Sequence, residues 1–434
     1  MSHETALLAS ISVALPVAFI FGFVATRLKL PAIVGYLLAG VAVGPFTPGF
    51  VADADLAPQL AELGVILLMF GVGIHFSIKD LLAVRTVAIP GAVGQIAIAT
   101  GLTTAVAVWW GWGVGAGLVL GLAISVASTV VLLRALEERG EVSTPAGRVA
   151  VGWLIVEDLA TVIALVLLPA TAALLGTAPA ADAGHAQVAA AGGGRELLLT
   201  LAVTLGKVAL LTAVVIVVGF RVVPWVLHQA ALTGSRELFT LAVLAIALGI
   251  AFGSAVVFGV SFALGAFLAG LTVSESELGH RAAEEALPLR DAFAVLFFVS
   301  VGMLFDPAVL LASPVQVLVV LALIVVAKPL AALAIVALLR QPLRVGVTVA
   351  AGLAQIGEFS FILAELGRSL GLIPGEAYSL VLAGALLSIT INPLLFRVAD
   401  LMEARWGQGD LPAAPPAVVL DGERRAEESP AHAG

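Results

Sequence analysis

The sequence predicts an all-α polytopic membrane protein with about thirteen transmembrane helices in two inverted six-helix repeats. Three observations carry that expectation. Hydrophobic residues are 61 % of the 434 and charged residues only 12 %, with a mean hydropathy of +1.14. A soluble domain carries roughly 25 % charge. Apolar runs near the length that crosses a bilayer, about 20 residues, recur along nearly the whole chain. Basic residues crowd into every second connection, as a fixed orientation in a membrane demands.

Taken in order, the runs fall at about 5–26, 31–46, 57–76, 84–109, 113–136, 146–175, 197–227, 237–253, 256–273, 288–305, 308–339, 345–367 and 376–398. The second, eighth and ninth are short, and the last two of these are the weakest members of the count. The start is acidic and its apolar run too long for a cleavable signal peptide. The Ala/Gly-rich stretch 177–195 reads as a mobile linker. The Pro-, Ala- and Glu-rich stretch from Gly409 reads as a disordered tail. Cysteine is absent, which excludes disulfides, thiolate metal sites and cysteine nucleophiles.

With the N-terminus outside, the inner connections and adjoining helix ends hold 17 Lys and Arg residues and the outer ones hold 2, Arg195 and Arg368. The remaining two, Lys207 and Lys328, lie inside spans. This places the C-terminus in the cytoplasm. Pairing spans 1–6 with spans 8–13 then separates partners by seven helices, an odd number, so the repeats are inverted. The expected organisation is a first repeat at 1–175, a linker and helix at 176–235, a second repeat at 236–400 and a cytoplasmic tail at 401–434.

Inverted repeats place their substrate where interrupted helices expose backbone at mid-membrane. Spans 5 and 12 are partners and the best candidates. Span 5 contains Ile124-Ser125-Val126-Ala127-Ser128-Thr129-Val130, although small hydroxyl residues also serve ordinary helix packing. Span 12 contains Gly352-Leu353-Ala354-Gln355-Ile356-Gly357-Glu358, which is harder to read as packing.

The chemistry is expected at Glu157 and Asp158, adjacent acids in an apolar run with no other charge between Arg148 and Asp182. An ionised side chain at such depth costs at least ~2.5–3.5 kcal/mol. Something must therefore bind, pair with or protonate them, and a cation/proton site of a secondary transporter satisfies that demand. Oxygen ligands for a monovalent cation would come from Asp158, the Ser128 and Thr129 hydroxyls and carbonyls freed at a helix break. Glu157 points about 100° from Asp158 on a helix, so it either shares the site or belongs to its surroundings. Lys328 cannot snorkel easily from mid-span, and pairing with Asp158 or Glu157 is its expected resolution. That pair is either a static tie or one broken when the cation arrives. A cation channel is a rival reading, separable by the proton dependence of the flux. An intramembrane enzyme is disfavoured by the absence of a His-Glu-x-x-His motif and of cysteine.

Several motifs also resemble one family. Gly35-Tyr36-Leu37-Leu38-Ala39-Gly40 with Gly44-Pro45, the run from Glu62 to Phe70, Gly265 to Gly270 with Ser274-Glu275-Ser276, Phe297 to Met303 and Gln355 to Phe359 are similar to the monovalent cation:proton antiporter-2 family, in its Kef-type potassium efflux branch. The resemblance covers about residues 30–395 and implies a sodium/proton antiporter-like fold with crossed discontinuous helices. It implies that Asp158 binds cation and proton alternately. It also implies that Ser128 and Thr129 mark one break, that Gln355 to Glu358 mark the other, and that Lys328 faces the aspartate. Two features depart from the branch: Glu157 stands where Gln is usual, and the chain reaches Gly434 without a nucleotide-binding domain, so nucleotide or glutathione gating is not expected. The expected function is potassium/proton exchange across a bacterial inner membrane, with sodium possible, in a homodimer. Neither a cofactor nor nucleic acid is expected. Gly35 and Gly40, which permit close approach, make the first two spans the expected dimer interface.

Overall fold

The computed structural model describes residues 3–47, 57–75, 78–174, 206–207 and 209–406, which form helices joined by turns and short extended segments, with no strand among the described residues. The helices are α1 (His3–Arg27), α2 (Ala32–Val43), α3 (Ala57–His75), α4 (Ile78–Trp109), α5 (Gly113–Ser125), α6 (Thr129–Glu138) and α7 (Pro145–Leu174). They continue as α8 (Ala209–Leu232), α9 (Arg236–Phe258), α10 (Phe262–Ser274), α11 (Gly279–Met303), α12 (Pro314–Leu338), α13 (Leu343–Leu353), α14 (Glu358–Ser369) and α15 (Gly375–Trp406). The expected linker at 177–195 and tail from Gly409 lie outside the described residues.

Among the described residues, seven single helices and the run α5–α6 are long and apolar enough to cross a membrane, which gives eight candidate spans, or nine with the bent pair α13–α14. Four shorter apolar stretches, within α1, α2, α3 and α10, fall below that length. The breaks have local causes. In span 5 the helix stops at Ser125 and Val126 turns extended, and α6 restarts on Ser128, whose Oγ accepts the Val131 N–H at 3.2 Å as an N-cap. In span 12 the chain leaves α13 at Leu353 and resumes at Glu358, bent by 48°.

Several boundaries differ from expectation, and span 10 begins at Gly279 rather than near 288. Span 9 begins at Phe262 rather than near 256, because Ser254–Phe258 winds as a π-turn continuing α9 and Gly259 then ends it at φ 67°. Helix α15 runs to Trp406, past the boundary drawn at 400.

Packing sorts the helices into two sets. One core joins α4, α6, α7, α12, α13 and α15 through Ala88, Leu132, Leu136, Trp153, Leu154, Val336, Leu353 and Phe396. On the other side α3 packs against α10 and α11, and α11 against α2. Two glycine pairs allow these close crossings. A Cβ on Gly302 would lie 3.0 Å from the Gly40 Cα, and one on Gly73 would lie 3.0 Å from the Gly270 Cα. This corrects the expected use of the α2 glycines. Gly35 is pressed on the Phe21–Gly22 backbone of α1 and Gly40 on α11, so both serve contacts within the chain.

Candidate functional site

Interrupting two helices in an apolar interior frees backbone groups that must find partners there. The arrangement around the breaks is the answer to that demand. The two breaks lie against each other: Ser128 N–H donates to Gln355 Oε1 at 3.0 Å, and Gln355 Nε2 donates to Ser128 O at 3.1 Å. The same amide also reaches Gly352 O at 3.1 Å. Gly357 sits directly on Ser128, leaving no room for a side chain.

The negative ends, at the C-termini of α5 and α13, meet donors. Lys328 Nζ donates to Gln355 O at 2.9 Å and to Ile124 O at 3.5 Å. Gln95 Nε2 donates to Ser125 O at 3.1 Å, and Asn392 Nδ2 to Ala351 O at 2.8 Å. The Ser360 hydroxyl faces Val126 O at 3.4 Å. The positive ends, at the N-termini of α6 and α14, meet acids and hydroxyls, as the helix dipole favours. Glu358 opens α14, and its Oε2 accepts the Ser128 hydroxyl at 3.1 Å. Thr129 opens α6, and its hydroxyl donates to Asp158 Oδ2 at 3.1 Å.

Asp158 is 7 % exposed, and its Oδ1 accepts no hydrogen bond. Glu157 is fully buried and turned away: Oε2 accepts the Ala127 N–H in the first break at 2.8 Å, while Oε1 has no partner. The two acids thus serve different groups from neighbouring positions on α7, as a 100° separation requires.

All seven residues singled out from the sequence, Ser128, Thr129, Glu157, Asp158, Lys328, Gln355 and Glu358, come together at this crossing. The expected pairing of Lys328 takes a looser form. Glu157 is near enough to attract its ammonium, but no carboxylate lies within 4.0 Å of it among the described residues, and the ammonium donates its hydrogen bonds to carbonyls at the two negative helix ends. Those carbonyls are two oxygen acceptors in reach of a group that cannot stay unsolvated. Asn392-Pro393 reads from the sequence as a kink, Pro removing a backbone donor, and Gln95 is not singled out there. Their signal was the same as that of Glu157, a polar side chain inside an apolar run. Lys207, inside a span by sequence, is exposed.

The chain is similar to known proteins over most of its length. The chain matches the family described as "Sodium/hydrogen exchanger, transmembrane" over residues 14–398. It is 56 % identical over 400 residues to YbaL of Escherichia coli (strain K12), a protein named as a cation/proton antiporter, covering 92 % of this chain and 70 % of that one. It is 33 % identical over 370 residues to K(+) efflux antiporter 4 of Arabidopsis thaliana, covering 85 % of this chain and 60 % of the other. Among solved structures, the sodium proton antiporter MjNhaP1 of Methanocaldococcus jannaschii superposes with a TM-score of 0.54 at 18 % identity, covering 93 % of this chain and 97 % of that one. That likeness shows a common fold.

Proposed function

We propose, starting from the fact that the chain belongs to the sodium/hydrogen exchanger family and is an integral membrane monovalent cation:proton antiporter, that Asp158 is the residue at which cation and proton replace each other. Its relatives place it with the Kef-type potassium efflux antiporters of the cation:proton antiporter-2 branch. One observation carries the assignment. A buried carboxylate at the crossing of two interrupted helices has one oxygen held by Thr129 and the other unengaged.

A monovalent cation is hard and takes oxygen ligands. Asp158 Oδ1, the Thr129 hydroxyl and carbonyls of the breaks are the oxygens at hand, with Ser128 holding the restart of α6 in place. When the carboxylate instead takes a proton, it no longer attracts the cation, so the two compete for one group. If only an occupied site passes between the two faces, exchange follows without leak. Lys328 and Glu358 neutralise opposite helix ends, so the broken backbone stays affordable whichever occupant is present. Glu157 braces the first break through Ala127. Potassium is the favoured cation, supported by the names of several relatives, and sodium is the alternative.

The same reading makes α1–α4, α5/α6, α7 to α12, α13/α14 and α15 thirteen crossings, with repeats at 1–175 and 236–400. The packing supports that symmetry. Exchanging repeats carries α3 against α10 onto α11 against α2, and carries the Gly73–Gly270 pair onto Gly302–Gly40. It also places the N-terminus outside and the C-terminus inside a bacterial inner membrane, in a homodimer whose interface does not use Gly35 and Gly40.

The test uses purified protein in liposomes with a pH-sensitive dye and an imposed pH gradient. Potassium and then sodium are added outside, with Asp158→Asn as control. Cation-dependent dissipation lost in D158N is expected, since Asn keeps the size and an oxygen for Thr129. Full proton-coupled exchange by D158N would sink the assignment.

A further inference from the structure

We propose that the cavity between the α1–α2 turn, α6 and the Asn392–Arg397 stretch of α15 binds a phosphate group, carried by an anionic lipid headgroup or by a soluble phosphate compound. The cavity holds about 380 Å³, within the size range of small-ligand clefts. Lys29, Arg134, Arg139 and Arg397 line it, and Glu138 is the single acid in the lining.

Two of the four cations are spoken for. Arg134 pairs with Glu138 at 3.2 Å, and Arg139 pairs with Asp400 and Glu141. The hydrogen bond to Asp400 pushes the Arg139 guanidinium above its ordinary range, so it stays charged at any relevant pH. Lys29 and Arg397 have no acidic partner among the described residues. Positive charges gathered around one void repel one another, and an anion inside it relieves that repulsion. A phosphate is the anion whose oxygens match guanidinium donors two at a time.

The backbone of Lys29 is a second and separate observation. Helix α1 ends in a turn with Lys29 N–H on Thr26 O at 3.0 Å and Leu30 N–H on Ala25 O at 2.9 Å, which puts Lys29 at φ 60°. That left-handed position favours glycine. The corresponding turns after α6 and α14 place Gly140 and Gly371 there. A lysine in this conformation lines the cavity. The exposed side chains Phe23, Val24 and Leu28 run along α1 to the same point, a path that acyl chains of a bound lipid can follow.

The cavity floor includes Val131 and Asn392. Val131 N–H holds Ser128 Oγ, and Asn392 holds Ala351 O, so an occupant leans on the back of the helix crossing. Given the proposed exchange at Asp158, phosphate binding here would adjust the exchange rate. The binding claim itself is independent of that reading.

The experiment measures binding, not transport, so its failure is separate from a failure of the exchange assignment. Detergent-purified protein is titrated with phosphatidylglycerol, phosphatidylcholine and inorganic phosphate, followed by native mass spectrometry and by thermal melting. Each basic residue near an anionic surface contributes about fivefold in affinity, so K29Q/R397Q should weaken phosphatidylglycerol binding roughly 25-fold. K29R/R397K should keep it, and so should R340Q, a like-strained basic residue outside the cavity (φ 53°). Selective binding of phosphatidylglycerol over phosphatidylcholine assigns the site to a lipid, whereas binding of inorganic phosphate alone assigns it to a soluble compound. Equal binding of both probes by wild type and K29Q/R397Q, or no binding of either by wild type, would overturn the proposal.

Discussion

Substituting Gly357 by alanine tests whether the contact between the two breaks, and not merely their presence, supports exchange. The residue has φ −116° and ψ −168°, an extended conformation open to any amino acid, so its smallness and not its flexibility is what the site uses. An added Cβ would stand 2.5 Å from Ser128 Cα and 2.8 Å from both Ser128 N and Ser128 Cβ. Ordinary contact begins at 3.4 Å, and backbone atoms cannot swing aside as the end of a long side chain can. The breaks must therefore separate by about 1 Å. That displacement stretches the reciprocal Gln355–Ser128 bonds, now 3.0 and 3.1 Å, beyond useful length. Two weakened hydrogen bonds and the local overpacking together should lower stability by about 2–4 kcal/mol. Because Ser128 and Thr129 set the position of the Asp158 site, a shift on this scale should slow exchange on the order of 100-fold. Dye-loaded proteoliposomes read the rate, and thermal melting in detergent reads the stability. Gly249→Ala in α9 is the matched control, since its Cβ would meet nothing within 4 Å. A helical Gly→Ala change there should leave transport alone and raise stability by about 0.5–1 kcal/mol. Wild-type rate and melting temperature in G357A would refute the claim that the breaks must touch.

The remaining predictions concern the donors at the helix ends. Lys328→Met keeps the bulk of a side chain that is 1 % exposed but leaves Gln355 O and Ile124 O without their ammonium, so a loss of about 1–3 kcal/mol per orphaned acceptor is expected in thermal melting. A melting temperature equal to that of wild type would mean the carbonyls find other partners. Asn392→Leu removes the donor to Ala351 O and should cost a similar ~1–3 kcal/mol, with exchange slowed because α13 ends there. If N392L loses neither stability nor rate, the α15 contact is incidental to the site.

Membrane character follows from composition alone, because apolar side chains have few alternatives to a bilayer or a large core, whatever their neighbours. The candidate site was legible for a related reason. Glu157, Asp158, Lys328 and Glu358 are charges in apolar runs, and the cost of burying each is a local property of the chain. The break in span 12 announced itself through Gln355, Gly357 and Glu358, while the hydroxyl residues of span 5 were compatible with packing as well. What the ammonium of Lys328 touches was not legible. Its partners, Gln355 O and Ile124 O, are backbone groups that acquire a need for a donor only when two helices are interrupted side by side. Gln95 and Asn392 gain their roles in the same way, from carbonyls at helix ends far from them in sequence. Gly35 and Gly40 show a further limit, since smallness licenses close approach without naming the partner. The basic cavity is the last case: Lys29, Arg134, Arg139 and Arg397 read as separate inner-face charges until folding sets them around one void. A residue's cost is written in the chain, whereas the group that offsets it is chosen by tertiary structure, because desolvation acts on each side chain alone and hydrogen bonds and ion pairs require two groups to meet.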